Sequence, residues 1–306
     1  MSATVHQALA PAPAVGSPPA GDSIPEGLLT IAFVVAVCLL VAGYGRGVQE
    51  LWSRRGAGRV VPAWRVAAFG AGVLVVLAAQ QGAVHELGES SFAGHMTQHM
   101  LLLLVAGPLL ATGAAGLPLS LAALPSLRRR LARSRAAPAG RGLRRPVVYA
   151  LLAGGSQTVS LWFWHMPGPY IAGVEHPVVH GVEHLCFVTT AWLFWAPVLG
   201  APRHRPPAPV AVLLLVGTML SASALGAVLT FAPAPVYPAR VYGADPLADQ
   251  QLAGLLMWAP MDAVALVAAL AVVLRWLVWL DRSDRSKSAP LSRAGAAADL
   301  DEGVVR

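Results

Sequence analysis

Charge is scarce in this sequence of 306 residues. Asp, Glu, Lys and Arg together make up 12%, about half the share usual in a soluble domain. A soluble globular enzyme and a solvated disordered chain are both excluded by that shortage, because neither keeps itself in water with so few charges. Lysine is nearly missing: Lys287 stands alone against 21 arginines, a usage that fits a GC-rich bacterial genome. Only two cysteines are present, Cys38 and Cys186, each inside an apolar run. A disulfide framework and a cysteine-based zinc site are therefore excluded. Also missing are a P-loop, a Gly-rich nucleotide fingerprint, an HExxH pair and any Ser/His/Asp signature, so no catalytic reading is supported.

Apolar sequence fills the space that charge vacates. Hydrophobic residues make up 56% and the mean hydropathy is +0.60. Seven stretches approach the roughly 20 residues needed to cross a bilayer: 27–44, 64–84, 96–115, 147–164, 178–199, 209–231 and 252–280. They are continuous rather than alternating, which predicts helices and excludes barrel strands. The expected fold is an all-α polytopic membrane bundle of seven transmembrane helices over 27–280. It is preceded by a disordered Ala/Pro-rich segment over 1–26 and followed by a polar tail over 281–306. No basic region opens the chain, so a cleaved secretory signal is not expected.

The basic residues sort by side. Apart from Arg240, all of them fall in alternate loops: Arg46 to Arg65, Arg128 to Arg145, Arg203 and Arg205, and Arg275 to Arg306. The positive-inside rule then puts the N-terminus outside and the C-terminus in the cytoplasm of a bacterial plasma membrane. The net charge of +7 becomes a topology signal, and nucleic acid is not an expected partner. The stretch 119–135 mixes apolar patches with arginines and suits an amphipathic helix on the inner lipid surface.

The nine histidines sort the other way. His204 is cytoplasmic; His6, His85, His95, His99, His165, His176, His180 and His184 fall outside or in the outer ends of spans. Two groups have ligand-like spacing. His95 and His99 share one helix face, with Met96 and Met100 on the neighbouring face. His176, His180 and His184 form a stripe entering the fifth span, with Glu183 beside it. At 1.5 Å per residue, His99 and His184 lie about 10 Å along their helices, at one depth. His165 and Met166 close the fourth span on the same side, and Met257, Met261 and Asp262 enter the seventh. Imidazole with thioether sulfur points to copper as Cu(I). The expected ligands are His95, His99, His180, His184, Met96 and Met100, with His165, Met166, His176, Met257, Met261 and Asp262 as further ligands or relay positions. Two facing histidines also suit a bis-His haem, and Asp262 within a span suits a copper transporter.

Three segments carry a resemblance. They are His95-Met96-Thr97-Gln98-His99-Met100 followed by Gly107-Pro108, then His165-Met166-Pro167 with His180 and Glu183-His184, and Asp249-Gln250-Gln251-Leu252-Ala253-Gly254 ending in Met257-Trp258. Over roughly 64–280 the chain resembles the membrane-integral CtaG family of cytochrome c oxidase assembly factors. The resemblance implies a non-enzymatic protein that helps insert copper into a haem–copper oxidase. Its implied partners are oxidase subunits, and its motif histidines correspond to His95, His99, His180 and His184; a soluble extracytoplasmic copper chaperone is a candidate partner that the sequence itself does not identify.

Overall fold

The computed structural model describes residues 26–200 and 205–302, with side chains for 27–200 and 205–285. The N-terminal segment expected to be disordered, with His6, and the cytoplasmic His204 lie outside the described residues. Among the described residues there is no strand. The principal helices are α1 (Glu26–Arg55), α2 (Ala63–Ala79), α3 (Ala83–Ser90), α4 (Phe92–Met100), α5 (Gly107–Thr112), α6 (Gly116–Ala122), α7 (Pro125–Ala136), α8 (Pro138–Leu143), α9 (Pro146–Trp164), α10 (Pro167–Glu175), α11 (Pro177–Leu199), α12 (Ala208–Phe231) and α13 (Pro246–Glu302).

Among the described residues, four helices are long and apolar enough to cross a membrane: Gly27–Arg55, α11, α12 and Pro246–Arg285 of α13. Two bent pairs raise the number to six. One joins α2 to α3 at 46°, and the other joins Phe92–Thr112 to α6 at 67°. The α2–α3 bend falls at Gly82, whose φ of +64° is a conformation that glycine adopts without a Cβ penalty. The element at the fourth expected span, α9, has 19 residues and is not among the six. Its centre is diluted by Gly154, Gly155, Ser156 and Gln157, and it packs between α11 and α12. The apolar stretches understate helix length at both ends. The first helix runs on through Arg54 and Arg55, and the helix of the last span continues to Glu302. The expected amphipathic stretch is two helices, α6 and α7.

Two apolar cores hold these elements. Tyr44, Val48 and Leu51 of α1 pack with Phe69 and Val73 of α2 and Leu110 of α5. There Tyr44 stacks on Phe69 at 3.9 Å and donates to Gly113 O. The larger core joins α4, α9, α10, α11, α12 and α13. The chain between α4 and α5, Leu101–Ala106, is a widened π-helical turn, a feature frequent at functional sites. Trp195 Nε1 donates to Leu103 O there at 3.1 Å. One turn on, a Cβ at Gly107 would lie 2.7 Å from Ala191 Cβ. The small residue draws α11 tightly against the α4–α5 helix, which fixes the histidines of α4 beside those of α11. Between α12 and α13, Gly226 plays the same part: a Cβ there would meet Gly254 O at 2.9 Å. Gly217, from the same run of small residues, faces open space.

Arginines from three of the basic segments approach one another. Burial first, then Arg275 and Arg65, push the Arg205 guanidinium below its usual value; three separate segments therefore bring their arginines near one another. Arg240, the exception to the charge pattern, pairs with Glu175 of α10.

Candidate metal centre

The start of α4 is built to be rigid. The first N–H groups of a helix have no partner within it, yet here each is satisfied. Phe92 N and Ala93 N donate to Asp249 Oδ2 and Oδ1 at 2.8 and 3.0 Å, and Gly94 N donates to Ser91 Oγ at 3.0 Å. Asp249 of α13 thus caps α4 across the fold, and it also accepts from Gly243 N at 2.8 Å. Its neighbour Gln250, fully buried, ties down the α12–α13 loop. It accepts from Val236 N and Tyr242 Oη at 2.7 Å and donates to Leu229 O at 3.1 Å. Tyr237 from that loop donates to the His165 carbonyl at 2.6 Å. Burial pushes the Tyr237 phenol above its usual value, so it stays a neutral donor. The Asp-Gln-Gln segment is therefore scaffolding for the two chain segments that carry histidines.

Inside this frame the rings of α4 and α11 meet. Ring centroids are 4.4 Å apart for His95 and His99, 5.1 Å for His95 and His180, 5.2 Å for His99 and His184, and 4.1 Å for His180 and His184. His99, Glu183 and His184 are fully buried and His95 is nearly so. Glu183 Oε1 lies 3.5 Å from His99 Nε2 and Oε2 lies 3.9 Å from His95 Nε2, beyond ordinary hydrogen-bond length. Room for this carboxylate comes from Gly173 of α10, where a Cβ would sit 2.7 Å from Glu183 Oε2. Phe187 closes the inner side, its ring 4.6 Å from that of His99. His85 of α3, half-buried, stacks 6.4 Å from His180 at the rim.

Polar atoms this deep are normally paired, and these are not. His95 Nε2, both nitrogens of His99, His180 Nε2, His184 Nε2 and both Glu183 oxygens are buried without a hydrogen-bond partner. Two overlapping triads emerge, His95/His180/His184 and His95/His99/Glu183, with donor atoms mutually within 4.8 Å. Ligands of one ion, each about 2.0–2.1 Å from it, stand at most about 4 Å apart. One ring is already oriented: His184 Nδ1 donates to Gln80 Oε1 at 2.8 Å. Its Nε2 is left as a lone pair facing the cluster, the arrangement typical of second-sphere support for a metal ligand.

The other expected positions are dispersed. Met96 Sδ contacts His165 Nε2 at 3.3 Å rather than facing the cluster. Met100 and Met257 are buried in the apolar core, and Met261 lines a small cavity with Gln157 and Thr218. His176 and Met166 are exposed. Asp262 accepts from Ser223 Oγ at 2.6 Å and Trp258 Nε1 at 2.7 Å, bracing α12 against α13. Two contributors escaped the ligand set expected from sequence. Glu183 looked like a flanking residue of the His stripe, and Gln80 carries no motif; its one signal is being a polar residue at the end of an apolar run.

A multi-pass helical bundle with a buried histidine–carboxylate cluster between two of its helices defines the class. The chain belongs to the cytochrome c oxidase caa3 assembly factor family (Caa3_CtaG), which it matches over residues 42–278. That match begins within α1 and includes Tyr44, so it takes in both apolar cores. No curated protein and no solved structure matches the chain.

Proposed function

We propose that this assembly factor carries copper as cargo. In this reading α9 completes a seven-span bundle, with the N-terminus outside and the C-terminus in the cytoplasm of a bacterial plasma membrane. The arginines of α7 and α8 lie against anionic lipid on the inner side. The His/Glu cluster then opens to the outer side, where His180 and His85 form its rim. A soluble copper chaperone supplies the ion there, and an oxidase subunit docks and takes it by ligand exchange. His95 belongs to both triads, so an ion held by His95, His180 and His184 reaches His99 and Glu183 without leaving the site. The role is binding and transfer, not catalysis.

The observation that carries this reading is the convergence of orphaned ring nitrogens and carboxylate oxygens in a buried space. Left bare, each costs about 1–3 kcal/mol; a coordinated ion satisfies them together. Imidazole and carboxylate accept several transition metals, and copper is selected by the oxidase that the family serves. Haem is disfavoured, because the His99 and His184 rings stand perpendicular at 5.2 Å and a macrocycle would have to part them. A transporter reading loses its motive, since Asp262 is engaged in bracing two helices.

The test is metal content of the detergent-purified chain after Cu(I) loading, alongside oxidase activity in a host lacking this protein. Bound copper that is lost in the His99→Ala, His184→Ala double variant, together with failed oxidase assembly, is the expected result. Copper at background in the wild type, or full oxidase activity with the double variant, overturns the proposal.

A further inference from the structure

The contact between His165 and Met96 is chemically odd. His165 Nδ1 lies 2.7 Å from Leu161 O. A carbonyl only accepts, so Nδ1 carries the proton, and in the neutral ring Nε2 is a bare lone pair. That lone pair points at Met96 Sδ, 3.3 Å away, and a thioether is also a lone-pair group. Both side chains are buried, His165 at 5% exposure and Met96 at 0%. Two acceptors face each other with no hydrogen between them and no water to solvate them. A second proton on His165 would bury an imidazolium, and among the described residues no carboxylate pairs with this ring. What complements a nitrogen lone pair opposite a thioether is a soft cation, and of the first-row metals thioether sulfur selects Cu(I).

We propose that His165 Nε2 and Met96 Sδ form a second, soft metal station for Cu(I), separate from the His/Glu cluster. The proposal deepens the copper reading and rests on it. The two stations share α4: Met96 sits in sequence between His95 and His99, on the adjacent face. The His99 and His165 rings are 6.1 Å apart, and both nitrogens of His99 are unpartnered. His99 is the ring that can release an ion on one side and take it on the other. The stations differ in character. The cluster, with its carboxylate, accepts Zn(II) and both copper states, whereas the nitrogen–sulfur pair discriminates for the cuprous ion. Tyr237, bound to the His165 carbonyl, holds the second station to the α12–α13 loop, whose Gly243 N donates to Asp249, the cap of α4.

The experiment is X-ray absorption at the copper edge on the full chain, purified in detergent and loaded anaerobically with Cu(I). The wild type should show a sulfur shell beside the nitrogen shell. Met96→Leu, a substitution of similar volume, should abolish the sulfur shell and lower Cu(I) stoichiometry by one. Zn(II) uptake should be unchanged in that variant. Met100→Leu and Met257→Leu should keep the sulfur shell. Nitrogen-only copper in the wild type, or a sulfur shell that survives Met96→Leu, overturns the second station while leaving the cluster reading intact. No copper uptake by the wild type removes both.

Discussion

Gln80 makes no contact with an ion under any reading, yet its loss should be felt at the site. Its Oε1 accepts from His184 Nδ1 at 2.8 Å and so keeps the opposite nitrogen free to ligate. In Gln80→Leu that acceptor is gone. The proton can then move to Nε2, the atom facing the other rings, and the ion must displace it in order to bind. Loss of such a support typically weakens metal binding 10–100-fold, or about 1.4–2.7 kcal/mol. A similar figure comes from leaving one buried N–H without a partner, about 1–3 kcal/mol. Gln80→Glu should act oppositely, because a carboxylate acceptor makes the imidazole a stronger ligand. The assay is competition for Cu(I) against a chromophoric chelator in detergent, with melting temperature as the control for folding. A Leu variant that binds within about twofold of wild type, with the Glu variant no tighter, would refute the oriented-ligand argument.

Asp249→Ala leaves three N–H groups unsatisfied, two of them opening the helix that carries His95 and His99. A loss of about 3–5 kcal/mol is expected from bonds to a charged acceptor that are not fully additive. It should be visible as a lower melting temperature, with copper binding falling in parallel. Gly173→Ala adds a methyl 2.7 Å from Glu183 Oε2 and should turn the carboxylate away. Copper affinity should drop about tenfold, roughly 1.4 kcal/mol. The melting temperature should hold or rise, since Ala is the better helix former by about 1 kcal/mol. Asp262→Asn should cost under about 1 kcal/mol, because an amide can still accept from Trp258 and donate to Ser223 Oγ. Asp262→Leu should cost about 1–3 kcal/mol by stranding Trp258 Nε1, while Ser223 Oγ keeps Met219 O as its acceptor. Copper affinity should be unchanged in both, which equilibrium titration would check.

Much of the fold is written in local sequence. Continuous apolar runs mark the spans, since in lipid the backbone can satisfy itself only within a helix. What composition hides is where a helix bends or runs on. Gly82 turns one apolar stretch into two helices, and α1 continues through arginines that lie beyond the apolar run. The fourth expected span falls short because Gly154 and Gln157 face its helix neighbours inside the fold, and neither residue type adds apolar length.

The histidine spacing, read on helical geometry alone, was enough to gather His95, His99, His180 and His184, because i, i+4 periodicity puts each pair on one face. Which faces meet is a different matter. Helix order depends on long-range packing such as Gly107 against Ala191, and no local pattern encodes it. For that reason only the tertiary structure sends Met96 toward His165 rather than the cluster. For the same reason it brings Gln80, just past the end of α2, to His184, makes Asp249 a cap for a helix more than 150 positions away, and turns Asp262 into a brace. The sequence determined which residues lie on which helical faces, through periodicity and hydrophobicity. The tertiary structure decided which of those polar groups are satisfied and which are left facing one another, because partners distant in the chain meet only when the bundle closes.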